Sequence, residues 1–508
     1  MTTTKRIISG GLSAWSGIGI NLLTQLLLVP IYLQYWDSKT YGIWLAAQAW
    51  ISLFTLLNLG HQQFLRYEFL RIGSHEKRRL QMVLWSSLPI ALTLGLIEFS
   101  IVFLLNFFGV LPHFLGSEPN LSQTGGLIVL SCVSVWAFSG STLGIAYQAL
   151  SPFGYYPHFS WWSVGMILFT NICPIIAVLF GFSLLKTGMV WVISIFLVNI
   201  PFGIETWKVL IKEGLHPVKP NLNLGLKNFW NSQLLTLKSL LEMIRQQGYR
   251  ILLVPLSGES GMVAFVTMRT GASVALQGLA TITNPLMPEL MRFLNQRNQI
   301  RSEMTFSIIW LAVISAMAPS VIILQAFVGP FFEIWTLGKV IFDPILFGML
   351  SLGVIIFGIA QPAMAIIQGN NLLRAQLRIS ALSGFIALSG LFFFVKIMGI
   401  SGAGLALLIT EIVSAVCYVL VAREWLVNNE LQWPASVFRW VLVSLLVTAI
   451  SMAAMIMWPT FHLAFVTLGF ATQVFCVIKY WRLLSLESRL HASNLILRFL
   501  PNVFRGKL

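Results

Sequence analysis

The sequence predicts an all-α protein that crosses a membrane many times, with about fourteen transmembrane helices. Three observations lead there. First, the chain is 57% hydrophobic and only 10% charged, where a soluble domain carries about 25% charged residues. Second, its apolar residues gather in runs of about 20 or more. Hydrocarbon gives the backbone no water to bond, so runs of that length have to be helices. Third, most of the 32 Lys and Arg residues crowd into every second gap between those runs, and cytoplasmic loops are the ones that keep Lys and Arg. The net charge of +15 is therefore a topology signal. A nucleic-acid binder gathers its basic residues on one soluble face, so nucleic acid is not an expected partner.

The runs follow in order. The first, 7–35, continues too far for a cleaved signal segment, whose apolar part spans roughly 7–15 residues. Next come 41–65, 81–108, 124–147, 159–181 and 188–209, each closed by a polar or basic gap. After a longer gap the series resumes at 232–256, 261–286, 305–331, 344–367, 379–396 and 402–423, and ends with 438–457 and 462–482. Cys132, Cys173, Cys417 and Cys476 all fall inside runs, without a CxxC pair or metal spacing, and read as small buried hydrophobes.

The charges test the count. With the N-terminus in the cytoplasm, only Lys39, Lys186, Lys339 and Lys396 lie in outer gaps. Inner gaps hold clusters such as Arg66 to Arg79, Lys208 to Lys227, Arg292 to Arg301 and Lys479 to Lys507. Removing or adding a span would move several clusters to the wrong side, so an even count with both termini cytoplasmic is expected.

The longest internal gap contains Pro217 and Pro220, then the amphipathic stretch Leu224 to Trp230. It reads as a linker with a short helix lying in the interface. The expected organisation is an N-lobe over 1–212, a cytoplasmic linker over 213–231, and a C-lobe over 232–425. Two further spans occupy 426–482, and a basic tail 483–508. A weak internal echo supports the halves: Leu27-Leu28-Val29-Pro30 ends the first span and Leu252-Leu253-Val254-Pro255 the seventh. Six spans separate them, the offset of a parallel repeat. Prolines inside runs, among them Pro30, Pro89, Pro174, Pro319 and Pro362, are expected to break helices.

No nucleophile elbow, HExxH or phosphate-binding loop occurs, so an enzyme is not expected. Chemistry resides instead in charges within the runs, where an ionisable side chain costs about 2.5–3.5 kcal/mol and has to face protein or a water-filled cavity. Span 7 carries Lys238, Glu242, Arg245 and Arg250. At about 100° per residue these four share less than half of the helix circumference, with Tyr249 on the same side. Span 8 adds Arg269 near mid-depth. Lys238 and Glu242 could pair along the helix, but Arg250 and Arg269 have no acidic residue within helical reach. A diphosphate suits such a set, because guanidinium binds phosphate oxygens bidentately. Glu411, Glu242 and Glu98 are candidates for ion coupling or for charge pairing, and Glu205 for a structural pair near the inner end of span 6. His61 reads as a satisfied, non-catalytic histidine.

Several stretches carry a resemblance: Val29-Pro30-Ile31-Tyr32-Leu33, Tyr41-Gly42-Ile43-Trp44, Leu57-Asn58-Leu59-Gly60, Asn284-Pro285-Leu286-Met287-Pro288, and Gly402-Ala403-Gly404 followed by Glu411. With the length and span number, they resemble Wzx-type flippases of lipid-linked O-antigen or capsule repeat units. These belong to the multidrug/oligosaccharidyl-lipid/polysaccharide exporter superfamily. The family often has Asp-Leu-Gly where this chain has Asn58-Leu59-Gly60. The resemblance implies two six-helix lobes in a V around a central cavity, with spans 13 and 14 beside them. It implies transfer of an undecaprenyl-diphosphate-linked glycan between leaflets of the bacterial inner membrane by alternating access, with H+ or Na+ coupling and no other cofactor. The implied partners are membrane lipids, a polysaccharide polymerase and a chain-length regulator. Lys238, Arg245, Arg250 and Arg269 would hold the diphosphate, while Trp44, Trp50 and Tyr249 would stack on sugars. The alternatives are a cation-coupled multidrug exporter, which needs an acidic cavity, and a membrane glycan polymerase or ligase, for which no outer loop offers room.

Single cysteines introduced on a cysteine-free background test the topology. Positions 186 and 339 should react with an impermeant maleimide in intact cells, and positions 297 and 374 only after permeabilisation. The reverse pattern would invert the membrane orientation.

Overall fold

A computed structural model describes residues 3–485 and 487–489. Its described residues form helices and turns, without a strand. In order these are α1 (Thr3–Tyr35), α2 (Ser38–Phe54), α3 (Leu56–Ile72), α4 (Lys77–Phe107), α5 (Val110–Leu115), α6 (Pro119–Val135), α7 (Ser141–Gln148), α8 (Tyr156–Leu179) and α9 (Leu184–Lys212). Then follow α10 (Leu222–Asn295), α11 (Gln299–Ala312), α12 (Ala318–Trp335), α13 (Pro344–Gly369), α14 (Leu373–Met398), α15 (Ile400–Asn428), α16 (Ala435–Met457) and α17 (His462–Leu483). The expected basic tail lies mostly outside the described residues.

Among the described residues, 12 segments are long and apolar enough to cross a membrane, and 13 if α2 and α3 form one bent span. One of the segments, Leu222–Ala280, has 59 residues. At 1.5 Å per residue it would measure about 90 Å, far beyond a hydrocarbon core of about 30 Å. Gly258, at φ 75° and ψ 174°, breaks it. Counted as two spans, it brings the total to the fourteen expected. The all-α polytopic fold is thus what the apolar runs predict.

Two expectations require correction. The amphipathic stretch Leu224 to Trp230 is not a separate surface helix, for it forms the first turns of α10. Most of the named prolines do not mark breaks either: helices run through Pro30, Pro89, Pro174 and Pro362. The sharp bend, 45°, separates α2 from α3 at Thr55. Two π-turns interrupt helices at Trp136–Gly140 and Val313–Met317. The second directly precedes Pro319, where a wider turn accommodates the missing N–H and the bulk of the ring.

Contacts group the chain into two units, Met1–Thr267 with Trp335–Ile341, and Met268–Ile334 with Phe342–Leu508. This grouping describes packing in one conformation, whereas the lobes expected over 1–212 and 232–425 concern a repeat. In the first unit, a core of Leu65, Phe69, Leu80, Leu84, Ile145 and Leu210 joins α3, α4, α7 and α9. The first part of α10 packs on this unit through glycines. A Cβ on Gly60 would lie 2.4 Å from Thr236 Cα, and one on Gly225 would lie 2.3 Å from the Ser86 carbonyl oxygen. In the second unit, Phe306, Trp310, Ile314, Ile322, Ile359 and Tyr480 form the core. Trp310 Nε1 donates to the Ile359 carbonyl at 3.0 Å and Tyr480 Oη to that of Ser307 at 2.8 Å.

The first unit is also tied at the end bearing the turn between spans 7 and 8. Glu259, outside the runs 232–256 and 261–286, is buried and accepts a hydrogen bond from the backbone N–H of Ser117. A Cβ on Gly42 would lie 2.7 Å from Glu259 Cβ, so only glycine permits this approach. Lys39 pairs with Glu118 at 3.4 Å beside it. Residues 335–341 close the same end. Trp335 Nε1 donates to the Leu26 carbonyl at 2.7 Å, and the Lys339 ammonium binds the Leu33 and Trp36 carbonyls at the C-terminus of α1.

Burial pushes the Glu259 carboxyl up. Hydrogen bonds from the Ser117 N–H, its own N–H and the Ser117 hydroxyl, with the Lys39 charge, outweigh this and hold it below its ordinary 4.5. A lowered folded pKa means that the stabilisation is full above about 4.5 and fades as pH falls through the folded value. At pH 7, Glu259→Gln should therefore cost about 1–3 kcal/mol. The gap in unfolding temperature between wild type and variant should narrow as pH falls below 4.5. A gap independent of pH would remove the carboxylate from this link.

Candidate functional site

The bend between α2 and α3 exposes the first N–H groups of α3 within the bilayer, where water cannot bond them. Glu98, on α4 and 0% exposed, meets that need. Its carboxylate accepts the backbone N–H of Asn58 at 3.0 Å and the indole N–H of Trp136 at 2.9 Å. The positive end of the α3 dipole favours the negative charge there. Trp136 opens the π-turn, and its ring lies against Gly140, where a Cβ would come within 2.3 Å. The Asn58 side-chain amide donates to the Ala91 carbonyl at 3.0 Å. An aspartate at position 58 would set a carboxylate oxygen against that carbonyl, so Asn58 and Glu98 form a matched set. Further along α3, Gln62 donates to the Ser141 carbonyl at 3.2 Å. His61 is buried, with Nδ1 3.1 Å from Ser232 Oγ on α10 but with Nε2 lacking a hydrogen-bond partner among the described residues, so the expected satisfied histidine is only half met.

The basic set is borne by α10. Lys238, Glu242, Arg245 and Arg250 lie on its first part, before Gly258, and all are half-buried. Lys238 and Glu242 make no ion pair with each other. By helical rise, Arg250 sits about 12 Å from the break at Gly258 and Arg245 about 20 Å, depths within the hydrocarbon layer. Arg269, also half-buried, lies on the second part, and its carbonyl accepts Ser273 Oγ at 2.6 Å. Arg269 belongs to the second unit and the other three basic residues to the first.

The aromatic candidates differ in placement. Trp44 is 2% exposed, with its ring centroid 5.0 Å from that of Trp191 and 5.8 Å from those of Tyr32 and Trp36. Tyr249 is 1% exposed and stacks on Phe265 at 5.9 Å. In this conformation both support a wall and present no open face. Trp50 is half-buried, stacks on Phe54 at 5.3 Å, and keeps a buried Nε1–H without a hydrogen-bond partner among the described residues.

In the second unit, Glu411 on α15 is 9% exposed and packs where α13 carries Gly353, whose added Cβ would meet Glu411 Cγ at 3.7 Å. Glu205 requires correction as a buried carboxylate: its side chain is 38% exposed and lies 3.4 Å from His158 Nε2. Among the described residues no group of three or more His, Cys, Asp or Glu could hold a metal ion.

No family model and no curated protein sequence matches the chain. Solved structures do. The lipid II flippase MurJ in an inward closed conformation has a TM-score of 0.59 at 14% identity, over 94% of this chain and 99% of its own. A variant of the MATE transporter VcmN from Vibrio cholerae gives 0.56 at 16% identity, over 84% of this chain and 97% of its own. A transporter of the MOP superfamily from Pyrococcus furiosus, described by a reversed polarity of its binding pocket, gives 0.53 at 15% identity, over 84% and 96%. The chain thus has the fold shared by these transporters and flippases.

A mutant cycle checks the Glu98 site. Glu98→Ala leaves two buried donors unmet and should cost about 2–6 kcal/mol. Glu98→Gln turns an amide NH2 toward the Trp136 donor and should cost less, and Trp136→Phe on that background should recover part of the loss. Additive effects of the two substitutions on the unfolding temperature would dissolve the pair.

Proposed function

We propose that the protein is a flippase that moves an undecaprenyl-diphosphate-linked oligosaccharide, an O-antigen or capsule repeat unit, from the cytoplasmic to the periplasmic leaflet of a bacterial inner membrane. The observation that carries this reading is the set of four half-buried basic residues on the two parts of α10, with Glu242 and the Ser117-bound Glu259 between them in sequence. Basic side chains within a membrane segment face protein or a water-filled cavity, and a diphosphate entering there would meet guanidinium groups in the geometry they bind best. Arg245, Arg250 and Arg269, with Lys238, hold the diphosphate. Trp50, half-buried, is the aromatic residue placed to stack on a sugar, and Trp44 and Tyr249 contribute from behind or after a rearrangement.

Alternating access follows as rocking of two six-helix lobes. Glu98 and Glu411, with Glu242, are the carboxylates available for coupling to H+ or Na+. Both termini lie in the cytoplasm, and a polymerase with its chain-length regulator receives the product.

A second reading, a cation-coupled multidrug exporter, draws support from the MATE transporters that share the fold. An organic cation gains nothing from Arg245, Arg250 and Arg269, and like charge in a desolvated site is a strong exclusion.

Surface polysaccharide in cells that depend on this protein separates the two. Arg269→Gln and the double variant Arg245→Gln/Arg250→Gln should lower export about 10- to 100-fold at unchanged protein level. Arg269→Lys, which keeps the charge without the bidentate fork, should fall between. Normal polysaccharide in all three, together with increased resistance to cationic drugs in the wild type, would establish the second reading.

A further inference from the structure

The first unit contains a cavity of about 670 Å³ at the end of the bundle where the charge pattern places the cytoplasm. The start of α8, the end of α9 and the turn around Phe153 enclose it. Its two carboxylates are engaged: Glu205 lies 3.4 Å from His158, and Glu213 accepts the Tyr155 hydroxyl at 2.7 Å. Its two lysines, Lys208 and Lys212, stand one turn apart, are exposed, and form no ion pair among the described residues. A third ammonium stands beside the wall, Lys77 Nζ lying 5.9 Å from the centroid of Phe153. The cavity thus presents two ammonium groups, with a third beside it, while its two carboxylates are turned to His158 and Tyr155.

Above the lysines, α9 continues as an apolar stripe. Ile193, Leu197, Ile200 and Ile204 are exposed and follow one another every three or four residues, and the same spacing leads on to Lys208 and Lys212. Trp161 on α8, exposed and lining the cavity, places an amphipathic ring at the same level. One helix face therefore offers hydrocarbon contact along the depth of the bilayer and ends in two ammonium groups. Lysines placed only to set topology reach open water and need no walled pocket.

We infer that this cavity binds the phosphate head group of an anionic glycerophospholipid of the adjoining leaflet, with its acyl chains along the α9 stripe. Basic pockets at cytoplasmic helix ends have the chemistry for this. None of the residues assigned to the diphosphate lines the cavity, so this site stands apart from the proposed transport reading.

Native mass spectrometry of the full-length protein from micelles containing phosphatidylglycerol and phosphatidylcholine tests it. The wild type should retain phosphatidylglycerol in preference to phosphatidylcholine. Lys208→Gln/Lys212→Gln should weaken that retention about thirtyfold. Lys208→Arg/Lys212→Arg should preserve it, and Trp161→Ala, which keeps both lysines, should weaken it. Lys219→Gln/Lys227→Gln removes the same charge from outside the cavity and should change little. Equal loss in that control would reduce the effect to general attraction, and equal retention of both lipids would remove the phosphate preference. Complete displacement by millimolar glycerol 3-phosphate would assign the site to a soluble phosphate. Each of these three results overturns the inference.

Discussion

A bilayer core supplies no water, so every interruption of a helix within it has to be met by protein groups. Glu98 is where this constraint acts most directly. The bend at Thr55 lets one span change direction inside the membrane, and it leaves N–H donors at the start of α3. One carboxylate answers the Asn58 donor, and the π-turn that follows α6 brings the Trp136 indole to its other oxygen. Three elements are joined at one carboxyl group.

The same unit holds the charged part of α10 from both ends. Gly225 against Ser86 and Gly60 against Thr236 fix its beginning, and Glu259 against Ser117 and Gly42 fixes its end. Between these anchors lie Lys238, Glu242, Arg245 and Arg250. Small residues at the contacts permit the close approach that van der Waals packing in lipid requires. The depth of the basic groups is then set by the anchors at the two ends, and not by the cost of each charge alone.

Composition and periodicity made the helical, many-pass architecture legible, because run length and basic gaps are properties of local sequence. The bend at Thr55 carried no such mark. Neither proline nor glycine occupies it, and the carboxyl that meets the Asn58 N–H beside it lies 40 positions further on, at Glu98. Prolines misled because a helix can run through one whose freed carbonyl finds another donor, as the Leu26 carbonyl does from Trp335 at Pro30. Glu98 was visible as a buried charge, yet its role depended on Asn58 and Trp136, which were legible only once packing joined them. Trp44 shows the same limit: an aromatic residue in a membrane segment reads alike whether it faces a cavity or Trp191. The break within α10 was legible as a gap between runs, whereas the continuity of residues 222–230 with span 7 was not, because amphipathic sequence suits both a surface helix and a helix end.

The central claim is that the basic residues of α10 serve a lipid-linked diphosphate. The most direct measurement is leaflet accessibility of a fluorescent undecaprenyl-diphosphate oligosaccharide in proteoliposomes, with wild type and Arg269→Gln compared under an imposed ion gradient. The account predicts protein-dependent exposure of the label in the wild type, lost in the variant while the protein stays folded and inserted. No transfer by folded wild type under any gradient, or equal transfer by the variant, would contradict it.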